Sequence, residues 1–230
     1  MKKIFRIIGV ALVAVVLLAA IIVSTTAKSS ADHGESVWDQ DMTMGNSNAK
    51  NYYIIYSDLA CPYCVIFEEI ALEHEDEFQD YLKKNDIFLE IRLSDFLYEY
   101  GTHDSPASRL GAVATYCAKD EGKFWDYYNH AIHSVAMDFL KAGMGGVDAL
   151  NATDNDYWIN LGKDVGLGDN FVSCVTNETP LDNIIATARK TAKLVSGMPY
   201  FKFNNQTFSG FDPNGGWDNV LMYLDAGLKK

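Results

Sequence analysis

The chain has 230 residues, of which 48% are hydrophobic and 13% aromatic, enough apolar mass for a packed core and too much for wholesale disorder. Its formal charge of -12 at pH 7 gives a surface that repels phosphate backbones, which argues against nucleic acid as a partner. The length suits one ordinary globular domain with room for an inserted subdomain.

Lys2, Lys3 and Arg6 precede an uncharged apolar run, Ile7 to Val23. That run is at the short end of the roughly 17–25 residues that span a bilayer and is longer than the usual signal-peptide core. Basic residues on its N-terminal side keep that end in the cytoplasm and send the remainder outside. Residues 1–27 are therefore expected to form a cytoplasmic basic tip and a transmembrane signal anchor. The result is a single-pass protein, held in the membrane through residues 7–23, with its domain extracytoplasmic. Cleavage at the weak small-residue sites near Ala27 or Ala31 would make it secreted instead. Residues 28–50 are rich in small polar side chains and form a tether, whose last part packs on the domain through Trp38 and Met44.

Asn51 to Tyr56 is aromatic and β-branched, the pattern of a buried strand. From Pro62 the periodicity turns helical, with Phe67, Ile70, Ala71, Phe78, Tyr81 and Leu82 on one face. Glu68, Glu69, Glu73, Asp76 and Glu77 fall mainly elsewhere, and His74 lies on the apolar face as a core histidine. Ile87 to Leu93 is a second strand, so the class is α/β and Cys61-Pro62-Tyr63-Cys64 stands at a strand-to-helix junction. Pro62 suits the first helical turn, where no backbone N–H is required.

Residues 104–179 are mostly helical and form an inserted subdomain. Its predicted helices are Ala107–Ala118, Phe124–Leu140, Asn155–Val165 and Asn170–Val175, interrupted by a flexible glycine loop at 142–146. Phe124 and Trp125 are packing anchors. Thr179 then caps a helix with Pro180 at its first position and Asp182 as a capping-box acid, and Gly197 stands just past its end. Two short strands flank Asn204-Asn205 as a hairpin, and Asp212-Pro213-Asn214 starts a last helix carrying Trp217, Val220, Leu221 and Leu224.

Thiol–disulfide exchange needs a thiolate, and the free N–H groups and positive dipole end of a helix N-terminus favour a sulfur anion. Two intervening residues let Cys64, one turn in, reach Cys61. Cys61 is then the exposed sulfur that attacks or is attacked, Cys64 the buried resolving one, and Tyr63 tunes the pair by packing. Outside the cytoplasm disulfides persist, so export favours disulfide chemistry for this spacing. His130 and His133 share a helix face but have no Cys or His partner nearby, so neither a metal nor any other cofactor is expected.

The element order resembles the DsbA-like branch of the thioredoxin superfamily over about residues 40–228. The likeness rests on Met44-Gly45-Asn46, Ser57-Asp58-Leu59-Ala60-Cys61-Pro62-Tyr63-Cys64, Gly122-Lys123-Phe124-Trp125, Phe171-Val172-Ser173-Cys174 and Gly197-Met198-Pro199. It implies a thioredoxin-like fold, βαβ then ββα, built from residues 51–103 and 180–230 around the helical insertion. It also implies that Pro199 is cis and that the Met198 backbone pairs with an extended substrate. Met198 replaces the Thr or Val usual in the family. Ile55 stands where many relatives carry a buried acid for proton transfer. Asp58, three before Cys61, is either a modulating acid or simply a turn-forming one. Cys117 and Cys174 fall where some relatives have a structural disulfide, the alternative being two separate buried thiols.

The function so implied is an oxidase acting as a monomer, with no cofactor. Exported proteins with reduced cysteines would be oxidised through a mixed disulfide at Cys61, and a DsbB- or VKOR-like membrane partner would reoxidise the pair. A reductase or isomerase of the same fold is the alternative. From a different class, Cys61 and Cys64 could serve as soft ligands in a metal-binding module.

Overall fold

The computed structural model describes residues 36–101, 105–142 and 146–228. The predicted anchor and the first part of the tether, residues 28–35, lie outside these residues. Among the described residues no helix is long and apolar enough to cross a membrane.

Five strands form one mixed sheet in the order β1-β3-β2-β4-β5. They are β1 (Thr43–Met44), β2 (Asn51–Ser57), β3 (Ile87–Leu93), β4 (Tyr200–Phe203) and β5 (Gln206–Ser209). β2 and β3 run parallel from Asn51↔Ile87 to Ser57↔Leu93, and β4 lies antiparallel on the other side of β2 with Tyr56 opposite Tyr200. The hairpin turns at Asn204, whose positive φ of 52° suits asparagine. Its side chain accepts from the Tyr52 N–H (2.9 Å) and donates to the Gly227 carbonyl (2.7 Å), tying the sheet to the chain's last turn.

Period-two alternation divides the sheet residues between two faces. Tyr53, Ile55, Leu89, Ile91, Phe201 and Phe203 enter the main core. Tyr52, Ile54, Tyr56 and Phe88 enter a smaller one with Phe96 and Val195, against which Trp38 packs. The second face also holds a buried ion pair, Arg92 to Glu90 at 2.9 Å. Tyr52 donates to Glu90, Arg92 donates to the Tyr56 hydroxyl (2.7 Å) and to the Ser36 carbonyl (3.1 Å), and the guanidinium lies 4.0 Å from the Trp38 ring. Each charge is thus paired and hydrogen-bonded, the condition under which burial is tolerable.

The helices are α1 (Pro62–Glu73), α2 (Glu75–Lys84), α3 (Phe96–Tyr100), α4 (Pro106–Asp120), α5 (Phe124–Ala142), α6 (Gly146–Asn151), α7 (Asn155–Asp164), α8 (Asp169–Thr176), α9 (Leu181–Thr191) and α10 (Gly216–Ala226). The single helix expected after Pro62 is in fact two. His74 breaks it at φ -116° and ψ 38°, and three acids, Glu75 to Glu77, start a new helix where its dipole favours them. His74 is not a core histidine: its side chain is partly exposed and its ring stacks on Trp217 at 5.0 Å.

Thr179 does not cap α9. Its N–H bonds the Cys174 carbonyl (3.1 Å) to close α8, and Pro180 takes the cap position without a side-chain bond. α9 ends at Thr191, so Gly197 belongs to the turn before β4 rather than to the helix end. The expected glycine break at 142–146 instead includes the start of α6, where a Cβ on Gly146 would come within 2.8 Å of the Phe139 ring. β1 has only two residues, too few for an alternating pattern to show in the sequence.

Candidate active site

β2 ends at Ser57, and a turn carries the chain through Asp58 to Ala60 before α1 begins. Cys61 is the N-cap residue of α1, with Pro62 at its first position and no side-chain bond at the cap. The Cys61 carbonyl accepts from the N–H groups of Cys64 and Val65, both at 3.1 Å. Cys61 and Cys64 are free thiols here. The expectation of an exposed Cys61 over a buried Cys64 is modified: Cys61 is 4% exposed and Cys64 1%, while Tyr63 between them is 50% exposed.

The Cys64 thiol is pushed well above its ordinary value. Burial is the main cause, followed by the hydrogen bond and charge it shares with Cys61, then the charges of Glu68 and Asp58. In the reduced pair Cys64 therefore holds its proton.

Met198–Pro199 is a cis peptide. The register that sets Tyr200 against Tyr56 puts this peptide at the end of the sheet where Ser57 leads to Cys61. The Pro199 carbonyl accepts from Gly210 (2.9 Å), which fixes the loop to the strand beyond β5.

Asp58 is fully buried and organises the turn. Its carboxylate accepts from the Ala60 N–H (2.9 Å), the Leu97 N–H (2.8 Å) and the Ser108 hydroxyl (2.6 Å). It thereby ties the loop before Cys61 to α3 and α4. Burial pushes its carboxyl up to about 6, against the downward pull of those three donors. Leu59, beside it, packs over Gly111, where a Cβ would sit 2.8 Å from the Trp158 ring and 3.1 Å from a Leu59 methyl.

Two groups escaped the sequence reading. Glu68 and Glu69, assigned away from the apolar face of α1, are both buried. Glu68 accepts from the Ser57 hydroxyl at 2.6 Å, and burial pushes it up to about 7 despite the lowering effects of Ser57 and Tyr128. Glu69 pairs with His133 Nδ1 at 2.6 Å, and His130 lies 3.4 Å from Asp164. The two histidines thus have separate carboxylate partners and share no site. The available signal was spacing: residues four apart share a helix face, so Glu68 follows Cys64 inward. Cys117 on α4 and Cys174 on α8 form a disulfide with Cα atoms 5.8 Å apart.

A thioredoxin family model matches residues 38–225. This chain belongs to the thioredoxin family. Among solved structures, oxidised BdbD from Bacillus subtilis matches at 14% identity and a TM-score of 0.56, over 82% of this chain and 93% of that one. MdbA, a thiol–disulfide oxidoreductase from Corynebacterium diphtheriae, matches at 17% identity and a TM-score of 0.56, over 87% and 100%. A protein-disulfide isomerase from Novosphingobium aromaticivorans matches at 16% identity and 0.54, over 82% and 97%. At these identities the likeness is one of fold. No curated protein sequence matches the chain. Within the thioredoxin family, this chain carries a dithiol at the start of its first long helix and a helical insertion between β3 and β4.

Proposed function

We propose that this thiol–disulfide oxidoreductase works outside the cytoplasm as an oxidase, passing its Cys61–Cys64 disulfide to exported proteins with reduced cysteines. A substrate thiolate attacks Cys61 Sγ, the Cys61–Cys64 bond breaks, and a mixed disulfide forms at Cys61. A second substrate thiolate then attacks the substrate's own sulfur and releases Cys61. The substrate loses two electrons, which the pair later yields to a DsbB- or VKOR-like membrane reoxidant. Met198 and Pro199 would hold the substrate backbone, with residues 7–23 as the anchor and a monomer as the working unit.

The observation that carries this reading is the asymmetry of the pair. Cys61 caps the helix beside an exposed Tyr63, whereas Cys64 is sealed beneath it with its proton held tightly. Such a pair takes electrons at one defined sulfur. The lysines and arginine ahead of an apolar run support the location. Equilibration of the purified domain with glutathione, alongside refolding of a reduced disulfide-requiring protein, tests the direction. An oxidising potential with oxidative refolding is expected. A strongly reducing potential without refolding would assign the same site to a reductase or isomerase.

A further inference from the structure

Between α1, α2 and α5 lies a cavity floored by the sheet residues Ile55, Leu89 and Ile91. It offers about 50 Å³ to water centres. At roughly 10–15 Å³ per water by that measure, it has room for a chain of about five heavy atoms. Phe67, Ala71 and Ile132 make its inner walls apolar, whereas Glu75 and Gln79 are exposed and mark its outer end. Neither cysteine of the dithiol is among the residues that line it.

Two polar groups interrupt these walls. Glu68 lines the cavity and is only 7% exposed. Ser57 donates to its Oε1 at 2.6 Å. The Tyr128 hydroxyl, on the same cavity, is buried without a partner of hydrogen-bond geometry, so Glu68 Oε2 takes no bond from it or from any other described residue. Buried oxygens in apolar walls cost free energy until a donor meets them, and an ionised carboxylate favours a donor that is a cation. No lysine or arginine of the chain lines the cavity to supply one. The α1–α2 junction beside it is acidic: Glu73, Glu75 and Asp76 are exposed and form no ion pair among the described residues. The nearby bases already face acids, His74 with Glu77, His133 with Glu69 and Lys123 with Asp126.

We propose that this cavity binds a primary alkylammonium, either a free amine or the side chain of a lysine, with its stem against the apolar walls and its nitrogen on Glu68 and the Tyr128 oxygen. A four-carbon stem and its nitrogen match the space, and a compact ammonium suits it better than the planar fork of a guanidinium. The site stands apart from the dithiol, so the inference does not rest on the direction of thiol exchange. Burial holds the Glu68 carboxyl at about 7, so it is ionised and able to pair above that pH and neutral below it. The other ionisable groups around it are Asp58, Cys64 and Glu69 along the chain, Tyr128 and His133 on α5, and Glu75 on α2.

The test titrates n-butylammonium into the full-length protein with labelled isoleucine methyls, read by nuclear magnetic resonance. Ile55, Ile91 and Ile132 line the cavity and report binding there, while Ile54 and Ile184 lie elsewhere in the cores. Saturable shifts of the first three are expected at pH 8, with the other two unmoved. Butylammonium stays charged from pH 5 to 8, so its affinity should fall on the order of 100-fold across that range as Glu68 takes up a proton. n-Butanol, with the same stem and no charge, should bind as weakly at pH 8 as butylammonium does at pH 5. Glu68→Gln should abolish the pH dependence and bring both ligands to that level; the wild-type profile decides the matter even where the variant fails to fold. Nα-acetyl-lysine amide distinguishes the sources: binding equal to that of butylammonium assigns the site to a lysine side chain, and exclusion assigns it to a free amine. A flat pH profile, equal affinity for butanol, or cavity methyls that do not move would overturn the proposal. None of these outcomes bears on thiol exchange at Cys61, which is measured separately.

Discussion

Cys117 and Cys174 join the last turn of α4 to α8, 57 residues apart in sequence. Cys61 and Cys64 lie three apart at the mouth of α1, with a helix N-terminus above and two buried carboxyls below. The first pair closes a long loop. The second closes almost none and sits beside two buried carboxyls, Asp58 and Glu68. A thiol's surroundings, more than its own chemistry, decide whether it serves as a staple or as a reagent.

The sharpest way to break that contrast is to exchange the roles by mutation. Cys61→Ala should abolish glutathione exchange outright, whereas Cys117→Ala/Cys174→Ala should leave it within about twofold. The double variant should instead lose stability. By loop-closure entropy a loop of this size is worth about 4 kcal/mol, read from urea unfolding. Unchanged stability would show that the helical insertion holds itself together without the bond.

A second prediction concerns pH. Burial raises Glu68 from 4.5 to about 7 and Asp58 from 3.8 to about 6, so the folded state holds more protons than the unfolded chain between those limits. Stability therefore falls as pH rises through that window and levels off above it. For Glu68 alone the change is on the order of 3 kcal/mol. Glu68→Gln should accordingly stabilise the dithiol form at pH 8 more than at pH 5. An equal effect at both values would mean that Glu68 is not held neutral by its site.

Gly111→Ala probes how the loop before Cys61 is supported. Its methyl would press on Trp158 and Leu59, at a cost of about 1–3 kcal/mol, and should change the alkylation rate of Cys61. A stability loss with that rate unchanged would separate the helical insertion from the redox loop. The smallest effect belongs to Tyr63→Ala. Half-exposed Tyr63 should cost under about 0.5 kcal/mol, yet its removal should alter substrate turnover. No change in turnover would remove Tyr63 from the contact surface.

Much of this architecture could be read in the residues themselves. Both long strands, the dithiol junction and the major helices follow from periodicity and from Pro62. What could not be read depended on tertiary neighbours. The break at His74 reflects stacking on Trp217 and a fresh run of acids, and the surrounding apolar pattern continues smoothly through it. Thr179 looked like a cap because Pro180 follows it, but the end of α8 claimed its N–H. At the site, charge misled: Glu68 looked solvent-facing because glutamates usually are. Its partner Ser57 and its neighbour Tyr128 come from a strand and a helix that no local pattern links to α1. Arg92 and Glu90 were concealed in the same way inside a buried strand.

The order of the four cysteines has a consequence for how they pair. The observed disulfide joins the third cysteine to the fourth, and the proposed redox pair is the first and the second, so the two loops would be neither nested nor crossed. Four cysteines permit three connectivities. Of these, only this one joins each cysteine to its nearest neighbour in the sequence.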